Sequence, residues 1–108
     1  MDVWTLQKSP ELRAVLLLLQ SQLGVDSFEA DAMPCCDDAI WLAGTSAPFA
    51  RAYLYTLGQN HERYGVHLEY PQEVAPLYDV FENLRLSSLT GILAVHFDVA
   101  CVTPLPQT

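Results

Sequence analysis

The sequence predicts an α+β fold. A mainly antiparallel sheet of four to five strands carries two helices, about residues 10–23 and 75–87, on one face of a two-layer sandwich. Three observations predict it. Leu12, Val15, Leu16, Leu19 and Leu23 recur at helical spacing. Short segments further along alternate apolar and polar residues, which is the period of a half-buried strand. The length of 108 residues suits one domain, read as 1–108 with an N-terminal arm over 1–8 and an extended tail over 100–108.

Each element has its own local warrant. Ser9-Pro10-Glu11 opens the first helix: the serine can cap free N–H groups, proline fits the first turn, and an early acid suits the helix dipole. Gly24 ends it. A strand is expected within 25–31. Met33-Pro34-Cys35-Cys36-Asp37-Asp38 reads as a turn. Residues 39–43, 50–57 and 64–70 read as strands, the last two joined by the polar hairpin 58–63. In 64–70, Tyr64, Val66, Leu68 and Tyr70 share one face, and Gly65, His67 and Glu69 the other. Pro71 and Pro76 bracket a linker. Leu77, Val80, Phe81 and Leu84 then stand at i, i+3, i+4 and i+7, one face of the second helix. An alternative ends that helix at Asn83 and gives 84–87 to a short strand. Gly91 opens a last strand over 92–99, with Leu93, Val95, Phe97 and Val99 on one face and Ile92, Ala94, His96 and Asp98 on the other. A helix between two strands of one sheet implies a right-handed crossover and a parallel relation between them.

Composition narrows the function. Hydrophobic residues make up 51% and charged residues 17%, against about 25% charged in an average soluble domain. A small domain cannot hide that much apolar surface easily, so a second copy is expected to cover some of it. Thirteen acids against five bases give a formal charge of −8. That argues against nucleic acid, whose phosphates need Lys and Arg, and favours a basic protein partner through steering. The apolar run 14–19 is six residues long, whereas a membrane span needs about 20. Asp2 and Glu11 do not suit a signal peptide. Cys35, Cys36 and Cys101 form no CxxC pair, and adjacent cysteines bridge poorly. Reduced thiols in the cytoplasm are the expectation, with Asp37 and Asp38 disfavouring a thiolate nucleophile at Cys35 or Cys36.

Two sets of residues stand out as candidate sites. His67-Leu68-Glu69 and His96-Phe97-Asp98 each alternate histidine, apolar residue and carboxylate. On neighbouring strands, His67, Glu69, His96 and Asp98 would emerge together and could bind a divalent metal or form an acid–base pair. The plainer reading is a solvated sheet face, and no other cofactor is expected. The second set is aromatic. Trp4, Tyr53, Tyr55, Tyr64 and Tyr70 are candidates for an interface, since tyrosine joins large area to a polar tip, while Trp41 is assigned to the core. Arg51, His61, Glu62 and Arg63 are expected to gather near the hairpin.

Three functions follow. The first is a non-enzymatic, acidic protein-binding module, homodimeric and cytoplasmic. The second is a small enzyme or a metal- or ligand-binding domain using the His/carboxylate face. The third is a structural subunit of a larger assembly. The helix followed by three strands, with Leu23-Gly24 closing the helix, resembles the specialised chaperones of type III secretion in size, acidity and element order. The resemblance implies an acidic binding module and carries over no residue.

Overall fold

The computed structural model describes residues 3, 6–31, 37–45, 50–70 and 77–104. Helix α1 (Pro10–Leu23) leads into five strands, β1 (Phe28–Asp31), β2 (Ala39–Gly44), β3 (Arg51–Tyr55), β4 (Tyr64–Tyr70) and β5 (Leu77–Leu84), and helix α2 (Leu86–His96) follows. The strands form one sheet in the order β1-β2-β3-β4-β5, every neighbouring pair antiparallel. The α+β sandwich is therefore as expected, but as a simple meander without a parallel crossover.

The first helix follows its local chemistry. The Leu12 N–H donates to Ser9 Oγ at 3.2 Å, and Pro10 occupies the first turn. Gly24 closes the helix at φ 100°, donating its N–H to Gln20 O at 2.9 Å. Removing the cap tests this end: Ser9→Ala should lower stability by about 1 kcal/mol, read from a shifted urea midpoint at unchanged slope.

Alternation along the strands sets the two sheet faces. Ile40, Leu54 and Val66 stand opposite one another across β2, β3 and β4, as do Leu42, Ala52 and Leu68. All six are buried and join the core with Leu12, Val15, Leu16, Leu19 and Leu23 of α1 and Leu89, Leu93 and Ala94 of α2. Phe97, just past α2, stacks on Phe28 with ring centres 5.9 Å apart. Thr90 Oγ1 donates to Gln22 Oε1 at 2.8 Å and ties α2 to α1. Val3, from the expected arm, is buried in this core. In the expected tail, the Thr103 N–H donates to Gln22 O at 2.8 Å.

The last third of the chain departs from expectation. The segment 75–87, expected as a helix, is β5 over 77–84; the segment 92–99, expected as a strand, lies largely in α2. The stripe Leu77, Val80, Phe81, Leu84 fits a helix by spacing alone. The same residues also alternate, and strand β4 offers an unpaired edge that β5 satisfies with ladder hydrogen bonds. Two β5 residues then oppose Gly65 between the Val66–Phe81 and Tyr64–Leu84 pairs, and Asn83 takes φ 57° at that bulge. In α2 the decisive residue is Val95. A strand would bury it with Leu93 and Phe97, but it is 85% exposed while they are 0% and 1% exposed. Leu89, Leu93 and Phe97 recur every four residues, the helical repeat.

Candidate functional site

Both helices pack on the face that carries Ile40, Leu54 and Val66. Among the described residues, the opposite face has no helix over it. Across it runs a row of directly paired residues, Trp41 on β2, Tyr53 on β3, His67 on β4 and Val80 on β5. Trp41, Tyr53 and His67 are half-buried, and Val80 is 53% exposed. The Trp41 and Tyr53 rings lie 5.0 Å apart and the Tyr53 and His67 rings 6.1 Å apart. Cross-strand aromatic pairs of this kind stiffen a sheet and hold flat rings at fixed positions.

A second row crosses beside it. Arg51 pairs with Glu69, their charged atoms 3.9 Å apart, and the Arg51 guanidinium sits 4.3 Å from the centre of the Trp41 ring. The indole is thus covered on one side by a cation whose charge Glu69 offsets. On the other flank, Tyr55 lies over Gly65 with its ring edge-on to His67 at 5.2 Å. The strand needs glycine there because a side chain at 65 would occupy the space of the Tyr55 ring. Gly65→Val should therefore leave the fold in place and displace Tyr55, seen as loss of the Tyr55–His67 ring contact in an NMR structure.

Tyr53, Tyr55 and His67 wall a depression of about 340 Å³, with Leu57 (68% exposed), Asp38 and Glu82 also lining it. Burial, the Glu82 charge and a hydrogen bond to Glu82 raise the Tyr55 pKa above its ordinary 10.0. A hydrogen bond to Asp79, Tyr70 OH to Oδ2 at 2.8 Å, together with burial, raises that of Tyr70. Burial and then the Glu62 charge raise that of Tyr64. The folded state holds these protons more tightly than the unfolded chain, so their contribution to stability is complete below pH 10 and is lost as pH rises through the folded values. A spectrophotometric titration should show tyrosine ionising late, and Asp79→Asn should move one group back toward the ordinary value.

The structure divides the sequence candidates between the two faces. Tyr53 and Tyr55 lie on the open face, whereas Tyr64 and Tyr70 pack against the core on the helix side. Trp4 lies outside the described residues, as do Cys35 and Cys36. Trp41, expected in the core, is on the open face, because its neighbours Ile40 and Leu42 take the buried positions. Alternation along 39–43 already carried that signal, as it did for His67.

The four candidate metal ligands do not converge. His67 and Glu69 lie on the open face. His96 belongs to α2, where its Nε2–H donates to Arg51 O at 2.8 Å and its ring meets Tyr70 edge-on at 5.1 Å. Asp98 is exposed beyond the end of α2, with φ 56°. Among the described residues no three His, Cys, Asp or Glu are placed to hold a metal ion. The expected hairpin cluster also separates: Arg51 starts β3, at the end away from the hairpin, while His61 lies near Glu11 and Glu62 at 3.9 and 3.8 Å. Cys101 is a free, exposed thiol.

No protein-family model, curated protein or solved structure matches this chain. Among the described residues no helix is long and apolar enough to cross a membrane.

Proposed function

We propose that the chain is a non-enzymatic, acidic protein-binding module that works in the cytoplasm as a homodimer, two copies meeting through the helix-free faces of their sheets. The observation that carries this reading is the row Trp41–Tyr53–His67–Val80, rigid, largely apolar and accessible on a sheet face. Interfaces favour aromatic residues that bring large area with few freely rotating bonds. Asp31 of β1 continues the row beyond Trp41, but Trp41, Tyr53 and Val80 carry no charge, and the adjacent Arg51 and Glu69 offset each other. Asp38 and Glu82 also line this face, so two copies that each carry −8 meet most readily where salt screens their acids. Two such faces stack as in a β-sandwich, about 10 Å apart, with a two-fold axis placing each row against its counterpart.

The remaining charge has its own consequence. With −8 on each chain, the dimer's outer surface draws a basic partner and repels acidic ones. Sedimentation equilibrium at micromolar concentration tests the dimer. Twice the chain mass of 12.0 kDa is expected, and a species of 12.0 kDa throughout would refute it.

A further inference from the structure

We propose that the free edge of β5 takes an extended segment of a basic protein as a sixth strand, with alternating apolar and Lys or Arg side chains. This rests on reading the chain as a protein-binding module, and it is independent of the dimer. Strand β5 closes the sheet: it pairs with β4 on one side only among the described residues. At its far end the edge is already satisfied, since the Asn83 N–H donates to Gln59 Oε1 at 2.7 Å and Arg63 donates to Asn83 O at 3.2 Å. The stretch before the bulge keeps outward-facing N–H and C=O groups that only another extended backbone matches in register.

Three of the six large hydrophobic residues exposed among the described residues gather here, Val80 and Phe81 on β5 and Val95 on α2. Phe81, Ile92 and Val95, with Tyr70 and Leu68, line a groove of about 730 Å³ between the edge and α2. An added strand would direct alternate side chains toward this groove, which selects apolar residues at every second position. The intervening positions face the other side of the sheet.

Charge selects the occupant. Asp79 and Glu82 are both exposed on β5, and the strand carries no Lys or Arg. Glu82 lies on the side that the intervening Lys or Arg side chains would face, and Asp79, paired with Leu68, lies on the groove side. Asp79 accepts a hydrogen bond from Tyr70, and Glu82 one from Gln59 Nε2 at 2.9 Å, which fixes the position of both carboxyl groups on β5. A second copy would bring the same two acids and a further −8 to this edge. A basic segment brings the complement.

The probe is a capped peptide of alternating lysine and valine, titrated into the full chain and followed by amide NMR. Binding should slow exchange of the alternate β5 amides that point away from β4, one of the Val80 and Phe81 pair among them, and the Asp79→Lys/Glu82→Lys variant should weaken it by about tenfold. These side chains are exposed, so the variant is expected to fold, as its amide spectrum would confirm. The variant Trp41→Ala/Tyr53→Ala, impaired on the open face, should bind the peptide as well as the parent does. The proposal is overturned if the peptide does not bind, if a glutamate–valine peptide binds equally well, or if the shifts fall on Trp41, Tyr53 and His67 instead of on β5. It is equally overturned if the β5 amides that point away from β4 are protected without peptide, which would mean that a second copy already occupies the edge. A dimer that persists while the peptide fails would remove the edge site and leave the homodimer standing.

Discussion

Replacing Leu93 with alanine should lower the unfolding free energy by about 3 kcal/mol, the ordinary cost of deleting a fully buried leucine side chain. Val95→Ala should change it by no more than about 0.5 kcal/mol, as for an exposed residue without special contacts. The pair discriminates two readings of the same stretch. In a strand over 92–99, Leu93 and Val95 would share one buried face and both changes would be costly. In α2, Leu93 is 0% exposed within the core and Val95 is 85% exposed. Urea denaturation of the two variants at one protein concentration measures the difference, the fixed concentration mattering because dimerisation stabilises by mass action. A loss of about 3 kcal/mol in a domain whose whole stability is about 5–15 kcal/mol would be visible in a single melt.

The second large effect concerns association. Trp41→Ala and Tyr53→Ala should each weaken the dimer by about thirtyfold, the loss typical of a central aromatic anchor of about 2 kcal/mol. Neither residue belongs to the buried core, so the circular dichroism of each variant should match that of the parent. Trp41 carries an additional term, since its removal also exposes the guanidinium that rests on it. Tyr70→Phe is the control. Its hydroxyl lies on the helix side, bonded to Asp79, so its loss should leave the monomer–dimer equilibrium unchanged. Sedimentation equilibrium over a concentration series reads all three.

Much of the first two-thirds of the fold was legible from the sequence. Helix α1 and strand β4 begin and end where capping and alternation place them, because Ser9, Pro10 and Gly24 act locally and the period of 64–70 is unbroken. The last third was not, for a reason of geometry. Leu77, Val80, Phe81 and Leu84 satisfy a helical repeat, and Leu93, Val95, Phe97 and Val99 satisfy a strand repeat, over segments too short for period alone to decide. What decides is long-range: the open edge of β4 recruits one segment, and the floor formed by Leu68 and Phe28 receives the other. Gly91 reads locally as a breaker, yet at this exposed position of α2 its lack of a side chain costs no packing, since a Cβ there would meet nothing.

The candidate site was legible to the same degree. His67, Tyr53 and Tyr55 lie on the polar register of strands that alternation identifies, and they do face away from the helices. Tyr64 and Tyr70, on the other register, pack against the core. Convergence of His67 and Glu69 with His96 and Asp98 depended on residues 92–99 being a strand. With α2 in that place, His96 serves the fold by donating to Arg51 O.

Isotope-filtered NOE spectroscopy on an equimolar mixture of labelled and unlabelled protein tests the sheet-face dimer most directly, because it records only contacts between copies. Pairing of the two open faces predicts intermolecular NOEs from the Trp41, Tyr53 and His67 rings to one another or to Val80. Intermolecular NOEs confined to the helix layer, or none at all at concentrations where the chain remains folded, would contradict it.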